Sequence, residues 1–255
     1  MNTRHNNWRT GPARAIYLVL LLACARPAQP PLTIAVAANM HAAARVLADT
    51  FTARTGIACA LVAGSSGGLT AQIREGAPFD LFLSADMRYP AALHAEGFAA
   101  DSPRACARGR LVLWTARPGA EPSWEWLASD SVRHIAIANP RNAPYGAAAL
   151  EALKAKGLQE RLAGRLVQGE SAAQAAQFVL SGAAEAGFTA LSLVQSPELQ
   201  GIGRWTEVDS ALYAPILQGV LVLNRNPAPA RQFQAFLFSP EARAMLGSFG
   251  YWAGK

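Results

Sequence analysis

Histidine and cysteine are scarce in this chain of 255 residues, which has four histidines and three cysteines. The histidines, at positions 5, 41, 94 and 134, are dispersed, and no two of them lie one helical turn apart. Cys59 and Cys106 are 47 positions apart, and we expect two separate thiols. No Cys/His spacing typical of a zinc site occurs. The sequence therefore predicts no cation site and no cofactor.

Charged residues are also few, at 16% of the chain, and they are evenly mixed. The formal net charge is +6, but Arg4, Arg9 and Arg14 lie in the first 23 residues, which contain no acidic residue. The remainder carries +3 without any run of Lys and Arg, which argues against a nucleic-acid partner.

Long hydrophobic runs are limited to one segment near the N-terminus. Residues 15–23 are apolar and follow Arg9 and Arg14, which is typical of an export signal. Nine residues are too few to span a bilayer as a helix. Residues 23–25 fit a small-x-small cleavage site, whereas residues 21–24 resemble a lipobox with Cys24 as the lipidated residue. We therefore expect residues 1–30 to be signal and linker, and the mature protein to be periplasmic or exported.

Strand-like and helix-like segments alternate from Leu32 to the C-terminus. Residues 32–38, 57–63 and 79–84 are short apolar runs, and helical spacing separates them. Such an order predicts α/β lobes with mainly parallel sheets covered by helices. The number of strands favours two lobes with a ligand cleft between them. We place the first lobe at 31–110 plus 216–255 and the second at 111–215.

Four loops lie where a predicted strand ends and a helix begins: 37–40, 64–68, 142–146 and 169–172. In open α/β sheets these junctions line the ligand crevice. The N–H groups at a helix start lack intrahelical acceptors and attract anions. Asn39, Ser66 and Tyr145 add neutral side-chain donors. Singly, each loop has an ordinary explanation as a cap or turn, so the prediction of an anion site depends on their joint placement.

Several longer motifs resemble one known family. They are AVAANM (35–40), GSSGGL (64–69), AQIREGAPFDLFLSAD (71–86), GRLVLW (109–114), NPRNAPYG (139–146), AAQFVLSGAAEAGF (175–188) and YAPILQGVLVL (213–223). These segments are similar to the periplasmic molybdate-binding proteins of ABC importers. The resemblance implies the two-lobed periplasmic-binding-protein fold, which closes about a hinge around an oxyanion.

The resemblance also implies a ligand set and partners. Asn39 and Ser66 would bind molybdate or tungstate from the first lobe, Tyr145 and the backbone N–H of Ala172 from the second, and Ala38 through its backbone. Part of the family has a ligand-contacting Tyr at the position of Ala190 and Lys at that of Gly68. The implied partners are a permease in the inner membrane and its ATPase. We expect a monomer without enzymatic activity.

Two alternatives remain open from the sequence. The first is a binding protein for another oxyanion, such as sulfate. The second is a serine hydrolase, since Gly64-x-Ser66-x-Gly68 matches a nucleophile elbow. A triad needs a histidine, normally late in the chain, and none follows His134. This argues against the hydrolase.

Overall fold

The structure, a computed structural model, describes residues 1–3 and 30–252. Residues 4–29, including Cys24 and most of the predicted export signal, lie outside the described residues. Among the described helices, none combines the length and apolarity needed to cross a bilayer.

The described strands form two five-stranded sheets of mixed direction. The first sheet has the order β2-β1-β3-β10-β4 and the second the order β7-β6-β8-β5-β9. The strands are β1 (Leu32–Ala37), β2 (Cys59–Gly64), β3 (Leu81–Ser84), β4 (Arg104–Gly109), β5 (Leu111–Thr115), β6 (Ile135–Ala138), β7 (Leu166–Gly169), β8 (Ala186–Ala190), β9 (Arg204–Glu207) and β10 (Ile216–Val222).

Helices cover both sheets, and short 3₁₀ turns lie at Ala38–Met40, Ala163–Arg165 and Ser210–Leu212. The α-helices are α1 (His41–Thr55), α2 (Ser66–Arg74), α3 (Arg88–Ala95), α4 (Trp124–Leu127), α5 (Pro144–Ala155), α6 (Gln159–Leu162), α7 (Ala172–Leu180), α8 (Leu191–Val194), α9 (Pro227–Leu237) and α10 (Pro240–Ser248).

The α/β architecture agrees with the sequence, but the sheets are mixed instead of mainly parallel. In the first sheet β1 pairs in parallel with β2 and β3, whereas β10 runs antiparallel to β3 and β4. In the second sheet β6 pairs in parallel with β7 and β8, whereas β5 runs antiparallel to β8 and β9. After β4 the chain leaves the first sheet through Arg110, and it returns through residues 208–215 to place β10 between β3 and β4.

Helix α1 shows how local sequence determines an element here. Ala44, Leu47 and Phe51 recur at helical spacing, and all three are buried. The helix ends at Gly56, whose φ of +73° lies in the left-handed region that glycine adopts without steric cost.

The sequence analysis does not predict strands β4 and β9. The side chains of β9 are exposed throughout and show no alternation.

The two cysteines are separate thiols, and a buried aspartate, Asp80, has a structural role. Cys59 and Cys106 are both free thiols, and burial raises the pKa of Cys106 to about 12, so it stays protonated at neutral pH. Asp80 is buried, accepts a hydrogen bond from the Thr33 N–H at 2.7 Å and pairs with Arg225 at 3.0 Å. Its carboxylate therefore joins β1 to the segment after β10.

The aromatic contact between α1 and α9 should contribute strongly to stability. Phe233 is fully buried, and its ring lies edge-on to that of Phe51 at 5.1 Å. We expect Phe233→Ala to lower the free energy of unfolding by about 3–5 kcal/mol, because it leaves a cavity. Val46→Ala, at a 40% exposed position of α1, is the control and should cost less than about 1 kcal/mol. Denaturant titration measures both, and equal losses would contradict this assignment.

Candidate anion-binding site

One small cavity lies where the two sheets meet, and all four predicted junctions contribute to it. Its volume is about 10 Å³, which is room for roughly one water-sized sphere. The lining residues come from the ends of β1, β2 and β3 on one side and the starts of α5 and α7 on the other. They are Ala37, Ala38, Asn39, Gly64, Ser65, Ser66, Ala85, Ala143, Pro144, Tyr145, Ser171 and Ala172. The structure thus brings together all five predicted ligand residues.

Asn39 lies in the 3₁₀ turn Ala38–Met40, directly after β1, and is 3% exposed. Its amide nitrogen donates to Gln218 Oε1 at 2.8 Å and to the Tyr251 hydroxyl at 2.9 Å. Its backbone carbonyl accepts from Ser192 Oγ at 2.8 Å. Both amide hydrogens are therefore used within the protein. The family resemblance predicts that Asn39 contacts the ligand, and in this structure its amide anchors the turn that lines the cavity.

Ser66 is the first residue of α2, and the residue that caps this helix is its neighbour Ser65. The Ser65 hydroxyl accepts from the Gly68 N–H at 3.2 Å. Ser66 Oγ accepts instead from the Ala85 N–H at 3.0 Å, and the residue is 1% exposed. Since one lone pair is engaged by that N–H, the hydroxyl hydrogen of Ser66 remains for donation into the cavity.

Tyr145 is the second residue of α5, and its side chain is 2% exposed. Its hydroxyl is buried and has no hydrogen-bond partner among the residues that the structure describes. Burial raises the pKa of Tyr145 well above the usual value, with smaller contributions from nearby tyrosines, so the phenol stays neutral and able to donate. Only a glycine at position 109 leaves space for this hydroxyl, since a Cβ there would overlap with it.

Ala172 and Ala38 present backbone groups. Ala172 is the first residue of α7, and the preceding Ser171 caps the helix by accepting from the Gln174 N–H at 3.2 Å. Ala38 opens the turn that leads into α1. N–H groups at such positions lack intrahelical acceptors and carry the positive end of the helix dipole.

The electrostatic character of the cavity follows from its lining, in which no side chain is charged. The available polar groups are mostly hydrogen-bond donors: the Ser66 and Tyr145 hydroxyls and the N–H groups at helix starts. A site of this kind is suited to an anion that carries no proton of its own, because a bound O–H would need an acceptor.

Loops from the two sheets also touch beside the cavity. The Gly67 N–H donates to the Asn142 carbonyl at 2.8 Å, and the Tyr89 hydroxyl donates to the Arg141 carbonyl at 3.1 Å. A Cβ at position 67 would lie 2.7 Å from the Asn142 Cβ. Glycine is therefore required for this approach, and the structure has the cleft closed.

A larger surface cleft, of about 640 Å³, lies at the other end of the second sheet. Two of its charged side chains, Arg117 and Glu185, are engaged within the protein. Arg117 donates to the Ser131 carbonyl at 3.3 Å, and the Glu185 carboxylate accepts from the N–H groups of Arg133 and His134. No set of free donors converges there comparable to that in the small cavity.

The surroundings of Ser66 do not support a nucleophile elbow. No histidine is among the residues that line its cavity. His134, the last histidine in the sequence, lies just before β6 with a half-exposed side chain, 3.8 Å from Glu185. The residues that line the cavity therefore include no histidine that could act as a base for the Ser66 hydroxyl.

Sequence reasoning missed the residues behind the cavity. Gln218, Tyr251 and Ser192 are buried and hydrogen-bonded around Asn39. Gln218 did carry a signal, since it is a polar residue inside the otherwise apolar strand β10. Nothing local marks Tyr251 or Ser192, which lie 212 and 153 positions from Asn39.

Comparison with known proteins agrees with this architecture. The molybdate-binding protein ModA of Azotobacter vinelandii is 42% identical over 237 residues, covering 91% of this chain and 93% of that protein. ModA of Rhodobacter capsulatus is 39% identical over 243 residues, with coverage of 94% and 95%. The solved periplasmic molybdate-binding protein of A. vinelandii superimposes with a TM-score of 0.82 at 36% identity, covering 88% of this chain and all of that one.

The two-lobed fold predicted from the sequence motifs is thereby confirmed. A family model described as bacterial extracellular solute-binding protein matches residues 32–252, which is nearly the whole described chain. The chain belongs to this family of bacterial extracellular solute-binding proteins.

Proposed function

We propose that this protein is the binding subunit of an ABC importer and captures molybdate or tungstate outside the cytoplasm. The anion is held between a first lobe of 31–110 plus 216–255 and a second lobe of 111–215. The sheet composition supports these bounds, since β1–β4 and β10 form one sheet and β5–β9 the other. The protein then delivers the anion to an inner-membrane permease with its ATPase.

The observation that carries the proposal is the buried hydroxyl of Tyr145, which has no partner among the described residues and belongs to a residue that lines a cavity without charged side chains. A buried donor without a partner costs free energy in the unliganded protein. An oxyanion oxygen would satisfy it, together with the Ser66 hydroxyl and the N–H groups of Ala172 and Ala38. Asn39 contributes by shaping the turn that presents the backbone.

The size of the site narrows the class of ligand. A cavity of about 10 Å³ is far below the several hundred cubic ångströms that organic ligands occupy. A small tetrahedral inorganic anion is the class of ligand that comes closest to this size. The names of the relatives, which are molybdate-binding proteins at 42% and 39% identity, favour molybdate within this class. Tungstate has the same charge and shape.

The protein is proposed to act as an exported, periplasmic monomer without catalytic activity. Binding and release suffice for its role, and Ser66 has no histidine beside it in the cavity. The alternative ligand is sulfate, which is also a tetrahedral dianion but smaller. Discrimination against sulfate would depend on how closely the donors fit the longer metal–oxygen bonds.

Calorimetric titration of the mature protein tests the ligand class directly. We expect molybdate and tungstate to bind with similar affinity, sulfate to bind much more weakly, and phosphate not to bind. The physical reasons are size for sulfate and the retained proton for phosphate. Tighter binding of sulfate than of molybdate would replace the proposal with a sulfate-binding one, and failure of all four anions at millimolar concentration would refute it.

Removing the Tyr145 hydroxyl should separate binding from stability. We expect Tyr145→Phe to weaken molybdate binding by roughly 10- to 100-fold, since a hydrogen bond to a charged group contributes about 1.5–3 kcal/mol. The melting temperature without ligand should stay equal or rise, because the lost hydroxyl has no partner. Tyr213→Phe is the control. Its hydroxyl accepts from the Leu111 N–H, so this variant should lose stability and keep its affinity.

Ser66→Ala tests the second side-chain donor and the hydrolase alternative together. We expect the variant to fold and to bind molybdate roughly 10-fold or more weakly, because one charge-assisted hydrogen bond is lost. Ser181→Ala, which removes an exposed hydroxyl at the end of α7, should bind like the wild type. If the wild type hydrolyses a generic ester and Ser66→Ala abolishes that activity, the hydrolase interpretation is correct.

A further inference from the structure

A closed ring of three hydrogen bonds lies directly behind the proposed anion site. The Asn39 amide donates to the Tyr251 hydroxyl at 2.9 Å, and that hydroxyl donates to Ser192 Oγ at 2.9 Å. Ser192 Oγ in turn donates to the Asn39 backbone carbonyl at 2.8 Å. The Tyr251 hydroxyl also lies 2.9 Å from the Asn39 backbone carbonyl, so its one hydrogen is shared between that oxygen and Ser192 Oγ, and the ring starts and ends on Asn39. Aligned hydrogen bonds of this kind strengthen one another in a buried environment.

The ring is buried and firmly held. Tyr251, Ser192 and Asn39 are each 3% exposed. The second hydrogen of the Asn39 amide goes to Gln218 Oε1, and Gln218 Nε2 donates to the carbonyls of Ala85 and Ile216. Burial raises the pKa of Tyr251 far above its usual value, so its hydroxyl keeps the proton that it donates. Every donor of the Asn39 and Gln218 amides is therefore satisfied.

The ring also joins parts of the chain that belong to different sheets. Ser192 lies in α8, directly after β8 of the second sheet, whereas Asn39 follows β1 of the first. Tyr251 lies beyond α10, where Gly250 packs so closely against Leu191 that a Cβ would lie 2.7 Å from the Leu191 Cδ2. The C-terminal segment thus reaches the second sheet at the level of the cavity.

We propose that Tyr251 is a positioning residue of the anion site, which acts through Asn39. The Tyr251 hydroxyl accepts from the Asn39 amide and, together with Ser192, donates to the Asn39 backbone carbonyl. These hydrogen bonds fix the peptide groups of the turn Ala38–Met40. Those peptide groups form one wall of the cavity. This inference rests on the proposed function, because it assigns the ring a role in anion affinity.

A double-mutant cycle on molybdate affinity tests the proposal. Tyr251→Phe removes the hydroxyl and should weaken binding by about tenfold, the equivalent of one lost buried hydrogen bond. Asn39→Ala should weaken binding further. The double variant should match Asn39→Ala within about twofold, since Tyr251 has no effect without Asn39. A residue that only stabilises the fold would give no such dependence.

A matched control separates positioning from general stability. Thr115 is buried in β5, and its hydroxyl donates to the Glu185 carbonyl at 2.7 Å, far from the cavity. Thr115→Val should lower the melting temperature and leave the molybdate affinity unchanged. The same should hold when Thr115→Val is added to the Asn39→Ala variant and compared with that variant. If Tyr251→Phe does not fold, Ser192→Ala breaks the same ring from the second sheet and must give the same dependence on Asn39.

The outcomes are distinct. The positioning role is overturned if Tyr251→Phe binds molybdate as tightly as the wild type does. It is also overturned if the affinity of the double variant falls by the product of the two single effects. Both results leave the proposed function intact. A wild type that binds neither molybdate nor tungstate refutes the proposed function, and the positioning role falls with it. Loss of affinity in Tyr251→Phe that disappears in the Asn39→Ala background supports the proposal.

Discussion

An anion that leaves water must find hydrogen-bond donors for its oxygens, and most of this structure follows from supplying them without a positive side chain. The donors are the N–H groups at helix starts and two hydroxyls, so helices must begin at one point in space. Parallel strands followed by helices place those starts at the same edge of a sheet. Two such edges facing each other then enclose the site.

Buried polar groups in and behind the cavity fall into two classes with different physical consequences. Asn39, Gln218, Tyr251 and Ser192 satisfy one another, which makes the wall behind the cavity rigid. Among the described residues the Tyr145 hydroxyl has no partner, and the Ser66 hydroxyl accepts one hydrogen bond, from the Ala85 N–H, which leaves its own hydrogen for donation. Satisfied groups determine shape, whereas unsatisfied donors supply the free energy that a ligand recovers on binding.

Close approach between the lobes depends on glycine at two positions. Gly67 lets α2 reach the loop at Asn142, and Gly109 leaves room for Tyr145 next to the segment that links the sheets. A single residue, Arg110, separates β4 from β5. The position of one lobe relative to the other is therefore restricted by short connections near the site, which favours a hinge over independent domains.

The sequence by itself determined much of the fold and most of the residues that line the site. Periodicity predicted the alternation of strands and helices, and the junction loops predicted that residues 39, 66, 145 and 172 converge, because strand–helix order dictates where strand ends meet. Tertiary structure alone decided the direction of β10 and β5, the capping role of Ser65 in place of Ser66, and the orientation of the Asn39 amide. It also brought Tyr251 and Ser192 to Asn39 across 212 and 153 positions. Such contacts leave no local pattern, since each residue satisfies the hydrogen bonds of a partner that only folding brings near.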